Sequence, residues 1–156
     1  MATKFPMFRA DNLAGTTQGK YLASVRMTED LANGSIVVPG AYEAGAREVR
    51  VCAAPTASDK IGKLAILGSE EVVKGVKYDT VGGFTNKKDT AARAYILEAG
   101  DVFSVSKEGF VAVPAVGGAV KVAAGAYKLG TEGDVTVGEC IAIEQDGATT
   151  WYVVRV

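Results

Sequence analysis

Paired acidic residues are the groups in this sequence with the types and spacing to do chemistry. The pairs are Glu29 with Asp30, Glu70 with Glu71, Glu98 with Asp101, Glu132 with Asp134, and Glu144 with Asp146. Two carboxyl groups held across a cleft can hydrolyse a glycosidic bond. These pairs stand at predicted turns and strand ends, where solvated surface charge is typical. A carboxylate-dependent hydrolase is therefore the least favoured function class.

The 156-residue chain contains no histidine. This removes the usual general base, the Ser–His and Cys–His nucleophile pairs and the commonest transition-metal ligand. Residues 131–134 and 144–147 resemble fragments of a calcium loop, but neither supplies enough oxygens in register. Nucleophile-elbow and phosphate-loop motifs are also missing. We therefore expect no enzymatic activity, no cofactor, no metal and no small-molecule substrate.

Charge is balanced along the chain. It carries 17 basic and 18 acidic side chains, a net charge of -1. Without a basic excess, binding to nucleic acid is not expected.

No apolar run is long enough to predict a signal peptide or a membrane span. The two cysteines, Cys52 and Cys140, lack CxxC spacing and are predicted to be buried, reduced thiols, with a single disulfide between them left open.

Short runs rich in Val, Ile, Thr, Tyr and Phe, separated by glycines, predict a many-stranded β domain. The predicted strands lie within residues 20–27, 34–40, 46–53, 62–68, 92–98, 101–106, 109–115, 125–130, 139–145 and 149–156. Residues 28–34 and 87–95 could each hold one helical turn, with Thr28 or Asp89 near the cap. The expected fold is all-β, a compact sandwich or barrel over residues 20–156 with an extended N-terminal arm.

Four glycines recur after a small or polar pair and before an alternating run: Gly34, Gly100, Gly125 and Gly138. Their spacing is uneven, whereas a solenoid needs a fixed period. Glycine adopts a positive φ or enters a bulge without a Cβ clash. The recurring pattern therefore predicts tight corners rather than a ligand loop.

Residues 1–19 lack strand alternation but carry aromatic side chains. Two interpretations stand side by side, a frayed tail and an arm that becomes ordered on a partner. In the second, Phe5 and Phe8 are buried on the partner while Arg9 and Asn12 fix the register of an added strand. On either interpretation, truncation to Lys20 should leave the melting temperature unchanged.

Two further features bear on binding. Residues 78–94 form a long polar connection, which is a surface loop by default and an interaction loop as a second option.

Of Trp151 and Tyr152 in the last strand, one is predicted in the core and the other on the surface. With Tyr42 and Tyr127 they motivate an alternative function, a carbohydrate-binding β module, which needs several aromatics in one exposed row.

Three phrases carry a resemblance to a known family: "TTQGKYLASVRMTEDLANGSIVV" at 16–38, "VCAAPTA" at 51–57 and "ARAYILEAGDVFSVS" at 92–106. In their order and in the lack of histidine, the chain resembles capsid decoration, or cement, proteins of tailed bacteriophages, most strongly from residue 20 to residue 106.

The resemblance implies a structural virion protein, made in the host cytoplasm, that binds the outside of the assembled head. There it bridges subunits of the major capsid protein, with copies of itself as a further possible partner. A mean hydropathy of +0.15 fits a subunit that buries part of its surface against others. Other virion components, such as a head fibre base, a tail tube subunit or a head-completion protein, are the runner-up.

Overall fold

The computed structural model describes residues 5–71 and 81–156. They contain eleven strands: β1 Phe8–Asn12, β2 Leu22–Arg26, β3 Ile36–Glu43, β4 Ala46–Ala53, β5 Ala65–Leu67, β6 Ala91–Ile96, β7 Val102–Ser106, β8 Ala119–Val122, β9 Leu129–Gly130, β10 Val135–Asp146 and β11 Thr149–Arg155. The helical elements in these ranges are the 3₁₀ turns Ala14–Thr16, Gly19–Tyr21, Val81–Gly83 and Lys107–Gly109. The predicted all-β fold is confirmed.

The strands form two units. One is an antiparallel six-stranded sheet in the order β1-β7-β11-β10-β8-β9, and the other is a closed barrel in the order β2-β4-β3-β5-β6. In the barrel, β2 runs parallel to β4, and the other neighbours are antiparallel. Closure removes the free edges of the barrel, whereas the sheet keeps β1 and β9 at its ends.

The barrel strands β3 and β5 contribute side chains to two hydrophobic cores. On β3, Ile36 belongs to a core shared with the sheet, and its neighbour Val37 belongs to the barrel interior. On β5, Ile66 joins the shared core, while Ala65 and Leu67 face the interior. Successive side chains point to opposite faces of a strand, so strands buried on both faces have continuous apolar sequences.

The glycine corners behave as predicted. Gly34, Gly100 and Gly125 have φ angles of 84°, 95° and 78°, in the left-handed region. Gly138 instead lies where the pairing of β10 with β8 shifts register. A Cβ built there would stand 2.3 Å from the carbonyl oxygen of Arg155, so the bulge requires glycine.

Several local predictions are wrong. Residues 28–34 contain no helix, and the predicted turn of helix near Asp89 is a hydrogen-bonded turn that leads into β6, with Asp89 at a φ of 61°. The predicted strand at 109–115 is a loop after the bridge at Phe110. Alternating apolar residues do not by themselves distinguish a strand from a loop. Here Pro114, Gly117 and Gly118 favour the loop.

The N-terminal segment is built into the sheet. β1 pairs with β7, and Leu13 is 2% exposed in the shared core. The backbone N–H of Ala14 donates to Oδ1 of Asp101 over 2.9 Å. Residue 19 is therefore no boundary between an arm and a domain, and the expectation that truncation to Lys20 leaves the stability unchanged does not fit this packing.

Candidate interaction surfaces

The predicted partner-binding residues on β1 contact their own chain. The Phe8 ring packs beside Tyr95 and Phe103, with centroids 5.9 and 6.3 Å apart. Arg9 lies over the Trp151 ring at 3.8 Å and is 3.6 Å from the carboxylate of Glu144. These contacts join β1 to β7, β10 and β11 of the sheet and, through Tyr95, to β6 of the barrel.

The other two predicted residues lie at the ends of this segment. Asn12 is exposed and pairs with Val102 at the end of β1. Phe5 donates its backbone N–H to the carbonyl of Gly82 over 2.8 Å. Phe8 and Arg9 thus contact their own chain, Asn12 is exposed at the end of β1, and Phe5 bonds to Gly82 outside the sheet. The role of the four residues toward a partner stays a prediction.

A bulge marks the free edge of β1. Arg9 faces Ser104 and Asn12 faces Val102, so Ala10 and Asp11 together face a single residue of β7. Bulges twist an edge strand and are a common protection against pairing with another chain. This geometry disfavours the strand addition that the sequence suggested for this segment.

The predicted interaction loop at 78–94 is tied down where it is described. Residues 78–80 lie outside the described residues. Asn86 is buried, and its side-chain amide donates to the carbonyl of Leu31 and to Oδ1 of Asn33, each over 3.0 Å. β6 begins at Ala91. Much of this region is therefore structural.

The predicted split between Trp151 and Tyr152 is wrong, because each is only 7% exposed. Tyr152 faces the shared core, where its ring lies 5.1 Å from that of Phe110. Trp151 is on the opposite face, under the guanidinium of Arg9. Neither ring can belong to an exposed aromatic row, so the carbohydrate-binding hypothesis loses its main residues.

An exposed apolar loop connects Phe110 to β8. Between Phe110 and Val120 every side chain is apolar, and the only other residues are glycines. We call residues 111–118 the aliphatic loop. Val111 is 77% exposed, Val116 61% and Val113 42%. Contiguous exposed apolar groups of this kind mark interaction sites on soluble proteins.

The aliphatic loop is held at both ends by backbone hydrogen bonds. Val111 donates to the carbonyl of Leu129 over 2.8 Å, and Gly117 donates to that of Cys140 over 2.7 Å. Cys140 in turn donates to the carbonyl of Gly118 over 2.9 Å. Fixing the backbone in advance lowers the entropy that a partner must overcome on binding.

The β10–β11 hairpin carries a further exposed apolar side chain. Ile143 is 44% exposed and pairs across the strands with Tyr152. The ring of Tyr152 contacts Phe110, which directly precedes the loop. The alternation of residues 109–115 predicts a strand, whereas Pro114 followed by Gly117 and Gly118 is the sequence signal that indicates a loop.

A groove of about 580 Å³ lies between loops of the barrel and loops of the sheet unit. Its lining includes Leu31, Tyr127 and the ion pair of Asp30 with Lys87, whose charged atoms are 3.0 Å apart. A hydrogen bond from the backbone N–H of Lys88 and the bond from Lys87 lower the pKa of Asp30. Asp30 is therefore held as a carboxylate, which suits a surface ion pair and not a proton donor.

Both thiols are free and lie in separate cores, Cys52 in the barrel interior and Cys140 in the shared core. Burial raises the pKa of Cys52 to about 11 and also raises that of Cys140. Thiolates, not thiols, react, so both groups are protected from oxidation at neutral pH.

Within residues 5–71 and 81–156, no group of three or more acidic, cysteine or histidine side chains could hold a metal ion. The same part of the chain has no helix long and apolar enough to cross a membrane. No family model, curated protein or solved structure matches this chain.

Proposed function

We propose that this protein is a structural component of a tailed-phage particle that binds the outer surface of the assembled capsid and bridges neighbouring major capsid subunits. The observation that carries the proposal is the aliphatic loop, a preformed, uncharged and exposed surface on a chain without histidine. The resemblance of residues 16–38, 51–57 and 92–106 to phage decoration proteins supports the choice of the capsid as partner.

The loop has the physical properties of a static binding surface. Fully burying a valine side chain contributes about 1.5 kcal/mol or more, so Val111, Val113 and Val116 together could supply several kcal/mol before ordering costs. Each contact of this size is weak alone. A symmetric shell offers many equivalent positions, and a protein that touches two subunits gains from the effective concentration of the second contact.

Other virion components remain the alternative, since a fibre base, tail tube subunit or completion protein also needs an apolar attachment surface. The number of copies separates these functions. A cement protein occurs in numbers comparable to the major capsid protein, whereas a completion protein occurs in a small ring.

The test is co-sedimentation of purified protein with phage shells that lack it. Wild-type protein should saturate the shells, and the double variant Val111→Ser with Val116→Ser should bind roughly tenfold or more weakly, because it loses apolar burial at two positions. Val51→Ser is the matched control, since Val51 is 43% exposed on the barrel. It should bind as the wild type does.

All three proteins should unfold at the same urea concentration, because the substituted side chains are exposed. Absence of the wild-type protein from purified particles, or equal binding by the loop variant and wild type, would contradict the proposal.

A further inference from the structure

We propose that the barrel binds an extended, acidic segment of a partner protein in the groove between β2 and β4. The groove has a volume of about 440 Å³. Its lining residues are Gly19, Lys20, Leu22, Ala23, Ser24, Tyr42, Arg47, Glu48, Arg50 and Ile96. Its place on the barrel, its backbone and its charges each support this assignment.

The groove opens where two parallel strands separate. β2 and β4 pair at Ser24 with Val49, Val25 with Arg50, and Arg26 with Val51. Two residues earlier on each strand, at Leu22 and Arg47, this pairing has ended. The register of β2 against β4 therefore begins at Ser24 and Val49, and the space between the two strand ends before these residues can admit an extended chain.

The two strands that frame the groove lie outside the core shared with the sheet. The core shared with the sheet takes residues from β3, β5 and β6, and no described residue of β2 or β4 belongs to it. The groove is therefore separate from the aliphatic loop, which lies between Phe110 and β8 of the other unit.

Two exposed apolar side chains line the groove, Leu22 at 40% and Tyr42 at 65% exposure. Ile96, partly buried, adds a third apolar wall. Side chains alternate along an extended segment, so every second residue of a bound strand would meet this apolar part and the intervening ones would meet the polar rim.

The rim carries cations without acidic partners. Four of the arginines in the described residues form ion pairs: Arg9 with Glu144, Arg26 with Glu43, Arg93 with Glu70 and Arg155 with Glu139. Among the described residues, Arg47 and Arg50 are the arginines without a carboxylate within ion-pair distance, and both line this groove.

Lys20 adds a third cation, stacked 4.9 Å from the centre of the Tyr21 ring. Against these three charges the lining holds one acid, Glu48. In a chain of net charge -1, this local positive excess is a property of the groove itself. Complementary charge steers and orients a partner, which makes a segment alternating acidic and apolar residues the best fit.

The proposal that the groove binds an acidic segment is argued from the groove alone. The further proposal that this segment belongs to a capsid subunit rests on the proposed function. In that case the groove supplies the second contact of a bridging protein, on a different unit from the aliphatic loop.

The test uses a fluorescent peptide of alternating glutamate and valine, added to the full-length protein and followed by fluorescence anisotropy. We expect saturable binding that weakens as salt is added. The double variant Lys20→Glu with Arg47→Glu should bind roughly tenfold or more weakly. Arg50 is left intact because its guanidinium donates to the carbonyls of Gly40 and Pro39.

The charge-matched control is Lys107→Glu with Lys128→Glu, two exposed lysines outside this groove. It should bind the peptide as the wild type does, and Tyr42→Ser should weaken binding without changing the net charge. The proposal is overturned if the wild type does not bind, if the control variant loses as much affinity, or if a lysine–valine peptide or a single-stranded oligonucleotide binds equally well.

The valine variant of the aliphatic loop separates the two proposals. With Val111→Ser and Val116→Ser, peptide binding should be intact even where binding to shells is lost. A protein that binds the peptide but never binds shells would refute the capsid function and leave the groove assignment standing.

Discussion

Asp101 is predicted from the sequence to be a solvated surface charge, but in the structure it is a buried acceptor that joins two parts of the backbone. It is 6% exposed, and its two carboxylate oxygens accept hydrogen bonds from the backbone N–H groups of Ala14 and Glu98, each over 2.9 Å. One bond closes the turn before β7, and the other ties down the chain that follows β1. The sequence places Asp101 next to Gly100 at a corner, but a partner 87 positions away has no local signal.

Replacing this residue should have a large effect. Asp101→Ala removes the acceptor for two backbone donors and should lower the free energy of unfolding by about 2–3 kcal/mol. Urea denaturation followed by circular dichroism measures it. Asp146→Ala, at the exposed tip of the β10–β11 hairpin, is the control and should stay within about 0.5 kcal/mol of wild type. Equal midpoints for the two variants would contradict this role.

Cys52 gives a prediction about pH. Burial raises its pKa from 9.0 to about 11 in the folded protein. Below pH 9 the thiol is protonated in both states and has no effect on stability. Between pH 9 and 11 the unfolded chain loses the proton first, so stability falls as the pH rises. In Cys52→Ala this part of the fall is absent.

The measurement is the urea midpoint of wild type and Cys52→Ala across this range. The variant starts lower, because it loses buried volume, but its midpoint should decline less steeply above pH 9. Parallel curves would show that Cys52 titrates as an ordinary thiol.

At the scale of elements, β1 is the main difference between expectation and structure. Its sequence, Phe8–Asn12, contains Asp and Asn, which are depleted in strands, and no alternation marks it. Phe8 decides the pairing of β1, because its ring fills the space beside Gly68. A Cβ built on Gly68 would stand 2.5 Å from the Phe8 ring. A fit of this kind depends on residues far apart in the chain.

Phe8→Ala should therefore lower the free energy of unfolding by about 2–3 kcal/mol, somewhat less than for a fully buried ring. Truncation to Lys20 should lower it further, because it uncovers Phe103 and removes Leu13. Asn12→Ala, at the exposed end of the same strand, is the control. If all three proteins melt at the wild-type temperature, residues 1–19 are an independent arm after all.

What the sequence does predict well is the pattern of strands and corners. Short β-branched runs separated by glycines indicate an all-β chain whatever the strand order, since side-chain period and turn conformations are local properties. The sequence does not distinguish a sandwich from a barrel, because a strand such as β5, buried at every position, has the same apolar pattern in both folds. The aliphatic loop was missed for a related reason: Val111 and Val113 alternate as a strand would.

For the whole molecule, the shared core makes the barrel and the sheet one structure with two different surfaces. The aliphatic loop lies on the sheet unit, and the groove with Arg47 and Arg50 lies on the barrel, between two strands that contribute no residue to the shared core. One surface is uncharged and the other is basic, so they suit two different sites on a partner. A bridging function needs such a pair of surfaces on a rigid connection.

The most direct test of this account is a cryo-electron microscopy map of the particle that carries this chain, with its copy number counted from the same map. We predict density for the protein on the outer face of the shell, in numbers comparable to the major capsid protein, with residues 111–118 in contact with a capsid subunit. A map that places the chain in a small ring at the head vertex or in the tail, or that leaves the aliphatic loop in solvent, would contradict it.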